Sequence, residues 1–196
     1  DLPFDRSLNP YRGCEHGCAY CFARPTHEYL DLSAGLDFET QLIAKRDLDR
    51  VLARELAADR YQAAPSALGT ATDVYQPVER RLGLTRALIA TLADARHPFV
   101  VTTKSAAVRR DVDLIAPEAA AGRAGVLMSI CTLDRDLARQ LEPRATTPAR
   151  RLDAVRVLAE AGVPVGILAS PMIPGLNDHE MEAIFAAGRD AGATGA

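Results

Sequence analysis

Apolar and polar positions along the chain fall into two alternating rhythms. LTRALIATLADA (84–95), DVDLIAPEAAAG (111–122), PARRLDAVRVLAEAG (148–162) and DHEMEAIFAAGRDAG (178–192) carry apolar residues at helical spacing. In the third of these, Pro148 marks the start and Gly162 the C-terminal cap. Asp47 is placed to cap a further helix through LDRVLARELAADR. Between the helices lie short runs that predict strands. These are FETQLIAK, ending at Lys45; SALGTATD (66–73), a strand with its exit loop; and the β-branched PFVVTTKS (98–105). AGVLMSICTLD (124–134) and VPVGILASPMIPG (163–175) follow. The first ~35 residues are punctuated by Pro3, Pro10, Gly13, Gly17, Pro25 and Gly35 and read as loop.

The result is β-α repeated about five times, which predicts parallel strands covered by helices in a single α/β domain over 1–196. A barrel and an open doubly wound sheet both satisfy the pattern, and both put the site at the C-terminal ends of the strands. The chain lacks an initiating Met, and AGRDAGATGA stops where a further strand is expected, so both ends read as cut.

Composition changes this picture little. Of the 196 residues 48% are hydrophobic and 25% charged, as in ordinary soluble domains. No apolar run approaches the ~20 residues of a membrane span, and no secretion signal opens the chain. A net charge of −3 neither requires nor excludes nucleic acid. The basic stretches ERR (79–81), VRR (108–110) and ARR (149–151) read as solvated helix faces. The only lysines are Lys45 and Lys104, each ending a predicted strand, where an ammonium can orient a carboxylate.

The cysteines add chemistry. Cys14, Cys18 and Cys21 stand in GCEHGCAYC with C-x3-C-x2-C spacing, and Cys131 is remote from them in sequence. This is not a disulfide framework, so a reducing, cytoplasmic location is expected. Three clustered thiolates can hold an iron–sulfur cube with one iron left open. Recruiting His16 or His27 would instead close a Cys3His zinc site. The spacing alone leaves both open.

The C-x3-C-x2-C loop, with Tyr20 before its last cysteine, resembles the signature of the radical S-adenosylmethionine (SAM) superfamily. NPYRGCEHGCAYCFAR, GTATDVYQP, TKS, RRDVDLI, LEPRA and PMIPGLND together resemble the branch related to spore photoproduct lyase, a DNA repair enzyme. That resemblance implies a partial (β/α) TIM-type barrel, truncated at its C-terminus, with the cluster in the loop after the first strand. It implies a [4Fe–4S] cluster on Cys14, Cys18 and Cys21, its open iron chelated by S-adenosyl-L-methionine. Reductive cleavage then yields methionine and a 5′-deoxyadenosyl radical that abstracts hydrogen from the substrate. A fourth cysteine would block the coordination site that this chemistry needs. An electron donor such as flavodoxin or ferredoxin is implied. The substrate is not, and nucleic acid, peptide, tRNA base and small metabolite all stay open; a lyase reaction, DNA photoproduct cleavage included, is one member of the set.

The same resemblance assigns further expectations. Tyr20 and Ile173 lie near the adenine. Gly69 and Thr70, in GTATD with Asp73, occupy the place of a Gly-Gly-Glu-like segment that meets the methionine amino group, although Thr70 stands where a second Gly is usual. Ser129 meets the cofactor. Arg144 pairs with the methionine carboxylate, and Glu142 binds ribose or holds Arg144. Cys131, two residues from Ser129 and expected on the same strand face, is a candidate hydrogen donor; a buried free cysteine also serves simply as a small apolar residue. Asn177 or Asp178 caps the following helix. His16 is a loop residue that can tune the cluster.

Overall fold

A computed structural model describes residues 4–195. Five strands form one parallel sheet: β1 (Arg6–Leu8), β4 (Ser66–Leu68), β5 (Phe99–Thr103), β6 (Ala124–Ser129) and β7 (Val165–Leu168), in that spatial order. The register runs Arg6↔Ser66, Ser66↔Phe99, Phe99↔Ala124 and Val126↔Val165. A two-stranded antiparallel ribbon, β2 (Tyr11–Arg12) with β3 (Ile43–Ala44), stands apart. The helices are α1 (Asp37–Thr40), α2 (Leu48–Leu56), α3 (Glu79–Leu82), α4 (Leu84–Asp94), α5 (Val112–Ala120), α6 (Arg135–Leu141), α7 (Pro148–Glu160) and α8 (Met181–Asp190). None is long and apolar enough to cross a membrane.

Strand order follows chain order without a reversal. A doubly wound sheet needs a switch point where the order reverses, so the open alternative falls away and the arc is that of a partial barrel. One strand face, with Leu68, Phe99, Val101, Val126, Met128, Val165 and Ile167, packs on Leu88, Ile89, Ile115, Val155, Leu158 and Ile184 of the helices. Alternation then leaves Thr102, Leu127 and Ser129 on the opposite, concave face. Packing is close: a Cβ at Gly188 of α8 would lie 2.4 Å from Ile167 of β7. Beyond α8, Gly195 pairs in parallel with Gly166 of β7.

Three sequence expectations fail here. FETQLIAK is not a strand of the sheet. Its first half is the single turn α1, which buries Phe38 against Cys14, and only Ile43 and Ala44 extend, into the ribbon. The first sheet strand is instead Arg6–Leu8, half-buried to exposed and too short and polar to show a period. Asp47 stands at the N-cap of α2, but its side chain makes no capping hydrogen bond. The helix α6 lies in a stretch with no predicted element, although Asp134 caps it by accepting from Asp136 N and Leu137 N; that Asp was the available signal.

Candidate active site

The loop from Gly13 to Ala23 follows β1 and the first ribbon strand at the C-terminal edge of the sheet. Gly13 and Gly17 turn it with positive φ of 80° and 67°. Its peptide groups are taken up by neighbouring elements. Gly13 O accepts from Thr72 Oγ1 (2.6 Å) and Gln76 Nε2 (3.2 Å), and Glu15 N donates to Gln76 Oε1 (2.8 Å). Cys14 N donates to Phe38 O and Ala19 N to Leu141 O, each at 2.9 Å. Arg24 donates to Cys18 O (3.1 Å), and Arg144 Nε donates to Glu15 O. Glu39 joins the two guanidiniums by accepting from both Arg24 and Arg144. Burial would raise the Glu39 carboxyl, but these two arginines outweigh it and hold it low. The loop is thus clamped from outside, and none of its three cysteines is tied up in a disulfide.

Cys14 and Cys18 are buried, Cys21 half-buried. Burial, with the negative charge of Asp73, pushes the Cys14 thiol up to about 12. Burial also pushes Cys18 to about 12, with Lys104 pulling the other way. Thiolates in such a place need a positive charge beside them. An iron–sulfur cluster supplies it, and three soft sulfur donors on one clamped loop fit that group. Among the described residues no three His, Cys, Asp or Glu side chains converge as around a single ion. His27 stacks edge-on against Phe38 and bonds Gln41 O through Nε2 (3.0 Å), and His16 faces Asp73, Nδ1 to Oδ2 at 3.4 Å.

Around the loop the strand ends supply a ring of polar groups. Asp73 accepts from Thr103 Oγ1 and Lys104 N, each at 2.7 Å, fixing the end of β5. Lys104 Nζ lies 5.9 Å from the Tyr20 ring centre and forms no ion pair among the described residues. The Tyr20 hydroxyl donates to Glu142, which also takes a hydrogen bond from Arg151. Burial opposes charge on Glu142, but Arg151 outweighs it and keeps the carboxyl low. Burial, then Glu142, raises the Tyr20 phenol. Arg151 continues to Ser129 O (2.8 Å) and Thr146 O (2.6 Å), tying the cysteine loop to β6 and α7.

Cys131 lies against Glu142 and Tyr20, which brings it together with the cysteine loop. Burial, then Glu142, pushes its thiol up to about 11. Ser129 ends β6 and donates to Ser170 O (3.4 Å); Cys131 lies beyond the strand, so the expected strand-face pairing with Ser129 does not hold. Gly69 has φ of 89°, and a Cβ there would lie 2.4 Å from Thr102 O, so close backbone contact alone demands glycine. Thr70 accepts from Asn9 Nδ2 (3.1 Å) at the rim. Ile173 sits half-buried in its loop.

Several expectations need correction. Arg144 is turned outward, 46% exposed, with its charge answered by Glu39. Glu142 holds Tyr20 and Arg151, not Arg144. Asn177 caps no helix through its side chain. It is fully buried and pins the Pro171–Ile173 loop by donating to Cys131 O (2.7 Å) and Pro171 O (2.9 Å) and accepting from Ile173 N (2.6 Å). Asp178 accepts from Gly175 N (2.9 Å). Lys45 follows the ribbon, not a sheet strand. The basic stretches are only partly solvated: Arg80, Arg81 and Arg150 are exposed, Arg110 bonds buried Glu79 and Asp111, and Arg151 is 1% exposed. Sequence reasoning missed Thr72 and Gln76 as props of the loop; their place in GTATDVYQP, already singled out, was the signal.

A family model described as the Radical SAM superfamily matches residues 8–187. An uncharacterized protein of Mycobacterium tuberculosis is 39% identical over 196 residues, covering 99% of this chain and 58% of the relative. One of Methanocaldococcus jannaschii is 27% identical over 173 residues, covering 88% and 62%. The chain therefore spans less than two thirds of these relatives. Among solved structures, a spore photoproduct lyase mutant superposes with a TM-score of 0.71 at 18% identity, covering 94% of this chain and 51% of that one. SuiB of Streptococcus suis bound to precursor peptide SuiA gives 0.63 at 17% identity, covering 96% and 38%. At such identities the likeness establishes the fold.

Proposed function

The chain belongs to the radical SAM superfamily, and from that premise we propose that it is a radical SAM enzyme acting by hydrogen abstraction, with Cys14, Cys18 and Cys21 holding a [4Fe–4S] cluster. When bound, the cluster supplies one electron to the sulfonium of SAM and so generates a radical able to take a hydrogen atom from a substrate. The observation that carries the reading is the clamped loop, whose backbone is held on all sides while three sulfurs stay free.

The remaining residues bind and orient. Lys104 offers the unpaired ammonium at this site, so the methionine carboxylate is assigned to it. Arg144 instead steadies the loop through Glu15 O and Glu39. The Arg151–Glu142–Tyr20 chain fixes the ring of Tyr20 beside the loop as a wall for the adenine. Ser129, at the end of β6, and Ile173, half-buried in the loop after β7, are assigned to the cofactor; Gly69 brings its backbone, and Thr70 its hydroxyl, to the strand ends. Cys131, whose buried thiol lies against Tyr20, is the candidate hydrogen donor. Reduction requires an external one-electron donor, such as flavodoxin or ferredoxin. A zinc site closed by His16 or His27 is disfavoured, because His27 Nε2 is engaged by Gln41 O and His16 Nδ1 faces Asp73 Oδ2.

Iron and sulfide analysis after anaerobic reconstitution tests the reading. About four irons per chain are expected, falling sharply in Cys18→Ala. One tightly held zinc per chain would overturn it.

A further inference from the structure

The β2–β3 ribbon carries an arrangement that the chemistry at the cysteines does not use. Tyr11 stands opposite Ala44 and Arg12 opposite Ile43. Lys45 follows Ala44, its N–H donating to Pro10 O at 2.9 Å, and it lines the same cavity as Arg12. The fold thus holds two cations side by side. Among the described residues neither has an acidic partner. Burial, then the charge of Arg12, holds the Lys45 ammonium below its usual range.

Both residues line a cavity of about 260 Å³, together with Tyr29 and Thr26. Asn9 and Ala71, also in its wall, follow the C-terminal ends of β1 and β4, so it opens on the same edge of the sheet as the cysteine loop. Asn9 has spent its amide on Thr70 and Ala71. The free donors are therefore Arg12, Lys45 and the hydroxyl of Tyr29, whose side chain is 85% exposed. A doubly charged anion answers two unpaired cations. A phosphate can take the Arg fork bidentately and the ammonium as a point charge. The cavity is larger than one phosphate group, which leaves room for part of the group esterified to it.

We propose that this cavity binds a phosphate group of the substrate through Arg12 and Lys45, with Tyr29 packing on the esterified part. The inference rests on the preceding reading only in calling the ligand a substrate; binding itself needs no cluster. The phosphate can belong to a monoester or to a phosphodiester backbone, and two probes separate these sources.

The test is calorimetric titration of the anaerobically reconstituted protein at low salt, with phenyl phosphate and with a thymidine tetranucleotide lacking terminal phosphates. One saturable event is expected with at least one probe. Arg12→Gln and Lys45→Gln should each weaken it roughly tenfold, the scale of one charge-assisted hydrogen bond. Each should also lower the salt slope by about one with the tetranucleotide. Tyr29→Ala should weaken binding roughly fivefold, and Arg80→Gln, exposed on α3, should change nothing. Tighter phenyl phosphate assigns a monoester, tighter tetranucleotide a diester, and either supports the site. No saturable binding, or affinities within twofold of wild type in both cation variants, overturns it. Iron analysis on the same samples keeps the two readings apart: zinc-loaded protein that still binds phosphate sinks the cluster, whereas iron-loaded protein that does not sinks this site.

Discussion

Glu142→Ala probes the buried pair on which the position of Tyr20 depends. Glu142 and Arg151 side chains are each 1% exposed. Truncating the carboxylate leaves the guanidinium bonded to Ser129 O and Thr146 O without a counter-charge, and the Tyr20 hydroxyl without its acceptor. Removing one partner of a buried pair costs about 3–5 kcal/mol. At ~2–4 °C per kcal/mol for chains of 150–250 residues, Tm should fall by about 10 °C. Replacing both charges, Glu142→Leu with Arg151→Met, should recover most of the loss, because no charge is then left buried alone. Urea unfolding of anaerobic protein, followed by circular dichroism, supplies the comparison. A loss below about 1 kcal/mol in the single variant, or a double variant as unstable as the sum of its singles, would refute the reasoning.

Other consequences can be measured alongside. Gly69→Ala should destabilise by at least ~1–3 kcal/mol, because φ is 89° and the new methyl meets Thr102 O at 2.4 Å; an unchanged urea midpoint contradicts that. Asn177→Ala removes three hydrogen bonds from the loop bordering Cys131 and should cost about 1–3 kcal/mol, with weaker SAM binding by equilibrium dialysis. Glu39 is held low in the folded state, so its contribution is present above the unfolded value near ~4.3 and disappears as pH falls through the lower folded value. Stability measured from pH 6 down should therefore drop less steeply in Glu39→Gln than in wild type. Lys104→Gln should raise the Kd for SAM roughly tenfold while leaving iron content unchanged; a normal Kd would remove the carboxylate assignment.

The parallel alternation and the cysteine loop were legible because both are local. Helical periods at 84–95 and 148–162 and the β-branched run at 98–105 need no tertiary partner to be seen, and C-x3-C-x2-C is contiguous. What escaped depends on distant residues. Arg6–Leu8 is a strand only because Ser66–Leu68 lies beside it. FETQLIAK misled because Phe38 packs on Cys14 and turns the chain into α1 before it can extend. Arg151 and Arg150 are neighbours in a basic run, yet one is buried by Glu142 and the other exposed, a difference no pattern of charge encodes. Arg144 reads as a carboxylate ligand until Glu39, far away in sequence, is seen to hold it.

The most direct test is the formation of 5′-deoxyadenosine by reconstituted, reduced protein supplied with SAM. The account predicts reductive release of 5′-deoxyadenosine and methionine by wild type and none by Cys18→Ala. Equal release by that variant, or none by iron-loaded wild type under strong reductant, would contradict it.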